Sequence, residues 1–128
     1  MHALILGDHR LLADLLKRDL VAIGFESVLV ASDEDEALNL GRQVRPDLIL
    51  VDDHNSIGLG LGMVEELSGL EPIPVVYVTG NSIGIQRRLP SAVTVSTFGA
   101  ASLRSAIFKA SKHAPADRSN VTNISSYR

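Results

Sequence analysis

Arg45-Pro46-Asp47-Leu48-Ile49-Leu50-Val51-Asp52-Asp53-His54-Asn55-Ser56 sets four consecutive apolar residues between a proline-marked turn and a polar run. A run apolar on both faces suits a strand in the middle of a parallel sheet, where helices cover both sides. Asp52 then stands at the carboxyl end of that strand, and the polar residues that follow read as the loop beyond it.

The same grammar extends in both directions. Ala3-Leu4-Ile5-Leu6 reads as a first buried strand, followed at once by Asp8. Leu11, Leu12, Leu15, Leu16, Leu20 and Ile23 recur at three- and four-residue steps, as an amphipathic helix requires. Gly24 suits its stop. Ser27 to Ala31 is the second strand. Ser32 with Asp35 forms a capping-box pattern for a helix whose stripe is Ala37, Leu40 and Val44 and which Pro46 ends. Residues 58–69 read as a third helix weakened by Gly58, Gly60 and Gly62. Val75 to Val78 is the fourth strand, closing at Thr79-Gly80, and residues 81–89 make a short helix before Pro90. Ala92 to Val95 is the fifth strand, with Ser96 after it. Residues 99–112 form the last helix, with Leu103, Ala106, Ile107 and Ala110 on one face. Five strands alternating with five helices give an α/β fold. The expected form is a flavodoxin-like doubly wound parallel sheet of order 2-1-3-4-5, with helices on both faces. The domain spans residues 1–112, and 113–128, polar and rich in Ser, Asn and Thr, reads as a flexible tail or linker.

Composition narrows the function. The 128 residues fit one domain, and 45% hydrophobic content can fill one core. A net charge of −3, from 12 basic and 15 acidic residues, argues against a broad nucleic-acid surface. Aromatics at 4% leave little for base stacking. There is no cysteine, which removes disulfides and thiolate metal sites and suits a reducing cytoplasm. No apolar run approaches the ~18 residues of a membrane span, and Met1 to Leu6 lacks the basic region of a signal peptide. The histidines His2, His9, His54 and His113 never pair at i, i+4, so zinc is not expected. Neither a Gly-x-Gly-x-x-Gly fingerprint nor a P-loop is present.

In the 2-1-3-4-5 order, strands 1 and 3 are neighbours where the winding reverses, and ligands bind beyond the carboxyl ends of the strands there. That brings Asp8 and Asp52 to one crevice, with Thr79 beside them and Ser96 ending strand 5. Two adjacent carboxylates repel unless a cation lies between them. Mg²⁺ suits hard oxygens, few protein ligands and retained water. An aspartate can serve as nucleophile for phosphoryl transfer, and the Thr79 hydroxyl can donate to a phosphoryl oxygen or cap the following turn.

At these residues the chain resembles the response-regulator receiver family of two-component signalling, over roughly residues 2–112. Arg45-Pro46-Asp47-Leu48-Ile49-Leu50-Val51-Asp52 is similar to the family's third strand and phosphoacceptor. Gly7-Asp8-His9-Arg10-Leu11-Leu12 is similar to its acidic turn, in wording close to regulators with a helix-turn-helix output. Val78-Thr79-Gly80 matches its threonine followed by a small residue. The resemblance implies a signalling domain, not an enzyme beyond self-phosphorylation and self-dephosphorylation. Asp52 would accept phosphate from a histidine kinase or phosphotransfer protein. Mg²⁺ would be held by Asp8, Asp52 and the His54 backbone carbonyl, and Thr79 would engage the phosphoryl group. His54 and Asn81 would occupy the positions that tune hydrolysis. Implied partners are a downstream target or an output domain, and a homodimer through the fourth and fifth helices.

The chain departs from the family at three positions. Gly7 stands where the first of two acids is usual. Ser96-Thr97-Phe98 replaces Lys-Pro-Phe, so Ser96 occupies the place of the lysine that pairs with the phosphoryl group. A hydrogen bond to a charged group is worth roughly 1.5–3 kcal/mol, and Ser96 brings no positive charge. Val93 falls at the switch aromatic. These departures frame a second expectation, a phosphorylation-independent pseudo-receiver acting as an interaction module. A third is a flavodoxin-like domain that binds a small molecule at the switch-point crevice. The Asp-x-His-x-x-Gly motif of cobalamin-binding domains is only faintly echoed at Asp52-Asp53-His54: Ile57 replaces the glycine, and the motif would follow the wrong strand.

Overall fold

The structure is a computed structural model that describes residues 1–52, 60–69, 71–96 and 99–112. Its elements run β1 (His2–Leu6), α1 (Arg10–Ile23), β2 (Ser27–Ala31), α2 (Glu34–Gln43), β3 (Leu48–Asp52), α3 (Leu61–Ser68), β4 (Val75–Val78), α4 (Ser82–Arg88), β5 (Val93–Val95) and α5 (Ala100–Lys112). The five strands form one sheet in the order β2-β1-β3-β4-β5, parallel at every pairing. The fold is the expected flavodoxin-like one. Residues 53–59 and the tail 113–128 lie outside the described residues.

Strand alternation builds two cores. Ala3 and Ile5 of β1 and Leu48 and Leu50 of β3 face α1 and α5, meeting Leu16, Leu20, Leu103, Ala106 and Ala110. Leu4, Leu6, Ile49 and Val51 point the other way, to Ala37 of α2, Met63 and Leu67 of α3 and Ile85 of α4. Each such fully buried aliphatic side chain contributes about 1.5–3 kcal/mol. No helix among the described residues is long and apolar enough to cross a membrane.

Several boundaries differ from the sequence reading. The α2 cap is Asp33, whose Oδ1 accepts from the Glu36 N–H at 2.8 Å, while Glu36 Oε1 accepts from the Ser32 N–H at 2.7 Å. The cap is therefore shifted by one residue from Ser32, and the Glu36 side chain closes on Ser32, the residue before the cap. Val44 is an exposed C-cap rather than part of the stripe. The inward position of the last turn belongs to Gly41, where a Cβ would lie 2.6 Å from Leu67 Cδ1; its bareness lets α2 and α3 close. Leu11 is 64% exposed, its place on the inner face taken by Ala13. Helix α3 starts at Leu61, and Gly60 is not inside it. Gly60 sits just before, at φ +64°, a left-handed position that favours glycine. The start of α3 has no side-chain cap hydrogen bond. Its other end is tied by Arg45, whose guanidinium donates to the Leu67 carbonyl at 2.9 Å and to the Glu71 carbonyl.

Gly60→Ala meets both a strained backbone and Leu6 Cδ2 at 2.7 Å. It should cost about 2–4 kcal/mol in urea unfolding. Gly62→Ala, inside α3 with its nearest neighbour at 4.0 Å, should instead gain about 0.5–1 kcal/mol. Tyr77 is buried on β4, and desolvation pushes its phenol above the ordinary value. Folding thus favours the protonated form, so its effect is full below the unfolded-chain value near ~10 and is lost as pH rises through the folded one. Urea unfolding across the alkaline range should show stability falling less steeply in Tyr77→Phe than in the parent.

Candidate functional site

The candidate residues fall where the strands end. Leu6 of β1 pairs with Val51 of β3, so the next residues, Gly7 and Asp52, lie side by side, and Asp8 is one step further out. Asp52 pairs with Val78 of β4, which Thr79 follows, and Val78 pairs with Val95 of β5, which Ser96 follows. The Thr79 N–H donates to the Val95 carbonyl at 3.0 Å, tying the two ends together. Strands lie ~4.8 Å apart. Asp52 is thus one strand from Asp8 on one side, one strand from Thr79 on the other, and two from Ser96.

Burial separates these residues. Asp52 is 1% exposed and Thr79 0%, whereas Asp8 and Ser96 are exposed. The crevice is therefore closed over its central carboxylate and open at its flanks. Asp8 is held by the turn into α1. There His9, extended at φ −93°, caps the helix with Nδ1 accepting from the Leu12 N–H at 3.3 Å. A cavity of about 470 Å³ adjoins Asp8, lined by Gly7, Arg10, Lys17, Ser32 and Glu36 among others. It opens between α1 and the start of α2 and does not reach Asp52.

The Thr79 hydroxyl oxygen accepts from the Asn81 N–H at 2.8 Å, so the turn-capping role is realised. Asn81 in turn caps α4, its Oδ1 accepting from the Gly84 N–H at 3.0 Å. Thr79 and Asn81 are thus one hydrogen-bonded unit that fixes the start of α4 to the end of β4. His54, the expected source of a metal-binding carbonyl, lies outside the described residues, as do Asp53 and Thr97-Phe98.

The sequence reading treated Gly7 as a lost acid and missed its packing role. A Cβ built there would lie 3.0 Å from Asp52 Cβ and 3.4 Å from Asp52 Oδ2. The bare backbone lies flush against the Asp52 side chain. The available signal was a glycine directly after an apolar strand, which often marks close approach of another group.

The donor chemistry fits Mg²⁺. Carboxylates from two adjacent strand ends supply hard oxygens, and Mg²⁺ commonly takes one or two carboxylates and keeps its remaining waters. Among the described residues no three His, Asp or Glu side chains converge on a common point, so a cage made wholly of such side chains is not what these residues offer.

No protein-family model matches the chain. Over 82 residues it is 32% identical to protein-glutamate methylesterase/protein-glutamine glutaminase 2 of Anaeromyxobacter dehalogenans, a match covering 63% of this chain and 24% of that protein. The chain thus spans about a quarter of that curated relative. Among solved structures it is similar to a response regulator receiver domain protein from Clostridium thermocellum, with TM-score 0.67, 21% identity, and 94% and 98% of the two chains covered. It is also similar to the chemotaxis response regulator CheY4 of Vibrio cholerae, with TM-score 0.65, 19% identity, and 85% and 97% covered. The anti-anti-sigma factor PhyR from Bartonella quintana matches with TM-score 0.70 and 22% identity, over 97% of this chain and 51% of that one. The fold is that of response-regulator receiver domains.

Gly7→Asp would set a second carboxylate against Asp52. In EDTA it should lower stability by on the order of 1–2 kcal/mol through like-charge repulsion, added to the crowding of its Cβ against Asp52. Millimolar Mg²⁺ should recover the electrostatic part of that loss and leave the crowding. Melting curves with and without Mg²⁺ check both effects, and the parent should show the smaller Mg²⁺ response.

Proposed function

We propose that this chain is a receiver module of two-component signalling, with Asp52 as the phosphoryl acceptor. The observation that carries the reading is the position of Asp52 at the end of the central strand, between Asp8 of the β1 turn and Thr79 after β4. The fold shared with receiver domains supports it. A histidine kinase or phosphotransfer protein presents a phosphohistidine. An Asp52 carboxylate oxygen attacks phosphorus, the N–P bond breaks, and the imidazole keeps the electron pair. Asp8 and Asp52, with the His54 carbonyl, would hold Mg²⁺, which neutralises charge on the phosphoryl oxygens when bound. The Thr79 hydroxyl donates to the phosphoryl group while its oxygen keeps accepting from the Asn81 N–H. That shared hydroxyl links chemistry at Asp52 to the start of α4. The setting is cytoplasmic, and the output is a change in partner binding by a downstream target or an attached output domain.

The burial of Asp52 and the neutral Ser96 at the place of a phosphoryl-pairing lysine favour a second reading. In it the chain is a pseudo-receiver that binds its partner without taking phosphate. Incubation with Mg²⁺ and acetyl phosphate separates the two. The receiver reading expects a mass gain of one phosphoryl group that Asp52→Asn abolishes, and beryllofluoride should perturb amide resonances of Asp8 and Thr79. An unchanged mass and spectrum, with a cognate kinase also supplied, would leave the pseudo-receiver.

Ser96→Lys restores a cation two strands from Asp52. It should tighten beryllofluoride binding about tenfold, the worth of one charge-assisted hydrogen bond. Titration of parent and variant followed by NMR measures this.

A further inference from the structure

The face of the sheet that carries α2, α3 and α4 is not fully covered. A groove of about 350 Å³ runs between α3 and the end of α4, over β4, to the amino-terminal rim of the sheet. Val64 of α3, Val75 and Tyr77 of β4, Leu89 after α4 and Ala92 before β5 give it largely apolar walls. Its volume falls within the ~300–1,000 Å³ of concave binding sites. Tyr77 is 5% exposed, and its hydroxyl has no hydrogen-bond partner among the described residues. That hydroxyl is not sealed off as His2 Nδ1 is, so it opens into the groove. A buried donor without a partner costs free energy that an incoming acceptor recovers. Ala110, in the last turn of α5, also lines the groove, so the chain leaves α5 at its mouth. Sixteen residues, 113–128, follow Lys112. Beyond Ala116 their apolar members are Val121, Ile124 and Tyr127, at every third position among polar and charged residues. In an extended chain of three residues per turn, that spacing puts all three on one side.

We infer that the tail of this chain, residues 113–128, folds back into the groove between α3 and α4. Val121 and Ile124 seat on Val64, Val75 and Leu89, and a tail carbonyl accepts from the Tyr77 hydroxyl. Val121 stands nine positions after Lys112, a reach of up to ~30 Å for extended chain, whereas the four residues of β4 span only ~13 Å. A tether that short keeps the tail near the groove at an effective concentration of about 1 mM, so a contact that needs ~0.1 mM of free peptide is about nine-tenths filled. The polar residues between the three apolar ones remain on the outer, wetted side. A two-fold dimer through the groove fits less well, because each copy would set one hollow against another. The mouth of the groove lies at the end of the sheet opposite Asp52, and the inference stands whether or not Asp52 takes phosphate.

The chain has no cysteine, so Ser125→Cys admits a single nitroxide label in the full chain. The label should broaden the NMR amide signals of Val64, Ser68, Val75 and Ser91 and spare those of Lys17 and Arg18 on α1. Val121→Asp combined with Ile124→Asp should remove that broadening. A synthetic peptide of residues 113–128 should then shift the same amides in the doubly substituted chain. It should bind the parent at least about tenfold more weakly, because the tethered tail competes. Tyr77→Phe, added to the doubly substituted chain, should weaken the peptide about threefold to tenfold. Broadening that is absent, that reaches α1 equally or that survives the two aspartates overturns the inference. So does broadening passed from a labelled chain to an isotope-enriched, unlabelled one, which would seat the tail in a neighbouring copy.

Discussion

The buried central strand constrains everything else. Each residue of β3 is covered, by β1 and β4 at its sides and by helices above and below. Polar atoms inside such a strand would cost several kcal/mol without partners, so Leu48 to Val51 must be apolar and chemistry is displaced to the carboxyl end. Asp52 stands at that limit, still paired in the sheet and still buried. Its neighbours are then fixed by register rather than by chance. Gly7, Asp8 and Thr79 follow the residues that pair with Val51 and Asp52, or lie one step beyond.

Much of this was legible in the sequence because parallel sheets leave strong marks. Four-residue apolar runs, three- and four-step stripes and polar residues near the strand ends marked the alternating elements, and the flavodoxin-like order expected of such an alternation then grouped Asp8, Asp52, Thr79 and Ser96. What escaped were properties of space rather than of pattern. Gly60 looks like a defect in a helix until its positive φ is seen. Gly41 and Gly7 look like missing side chains until Leu67 and Asp52 are found against them. The one-residue shift of the α2 cap arises because Asp33 and Ser32 are both good caps, and only the backbone decides between them. The close packing of Asp52 involves Gly7 at the end of another strand, which no local window contains.

The site joins two tendencies. Asp8, Asp52 and Thr79 lie at neighbouring strand ends, with Asp52 buried and Asp8 exposed, while Gly7 and Ser96 bring no charge to them. The bond between Thr79 and Asn81, with the one between Asn81 and Gly84, ties the edge of the crevice to the start of α4.

Arg45 gives α3 unequal ends. Its guanidinium grips carbonyls at the carboxyl terminus of that helix, while the opposite terminus begins at an uncapped glycine beside the switch-point loop. Leu67 is therefore held twice, by its carbonyl under Arg45 and by its side chain against the bare backbone of Gly41. Residue 45 follows α2 and residue 41 lies within it, so one short stretch of chain secures both the seam between the two helices and the carboxyl tip of the second. A change at either position would loosen both attachments together.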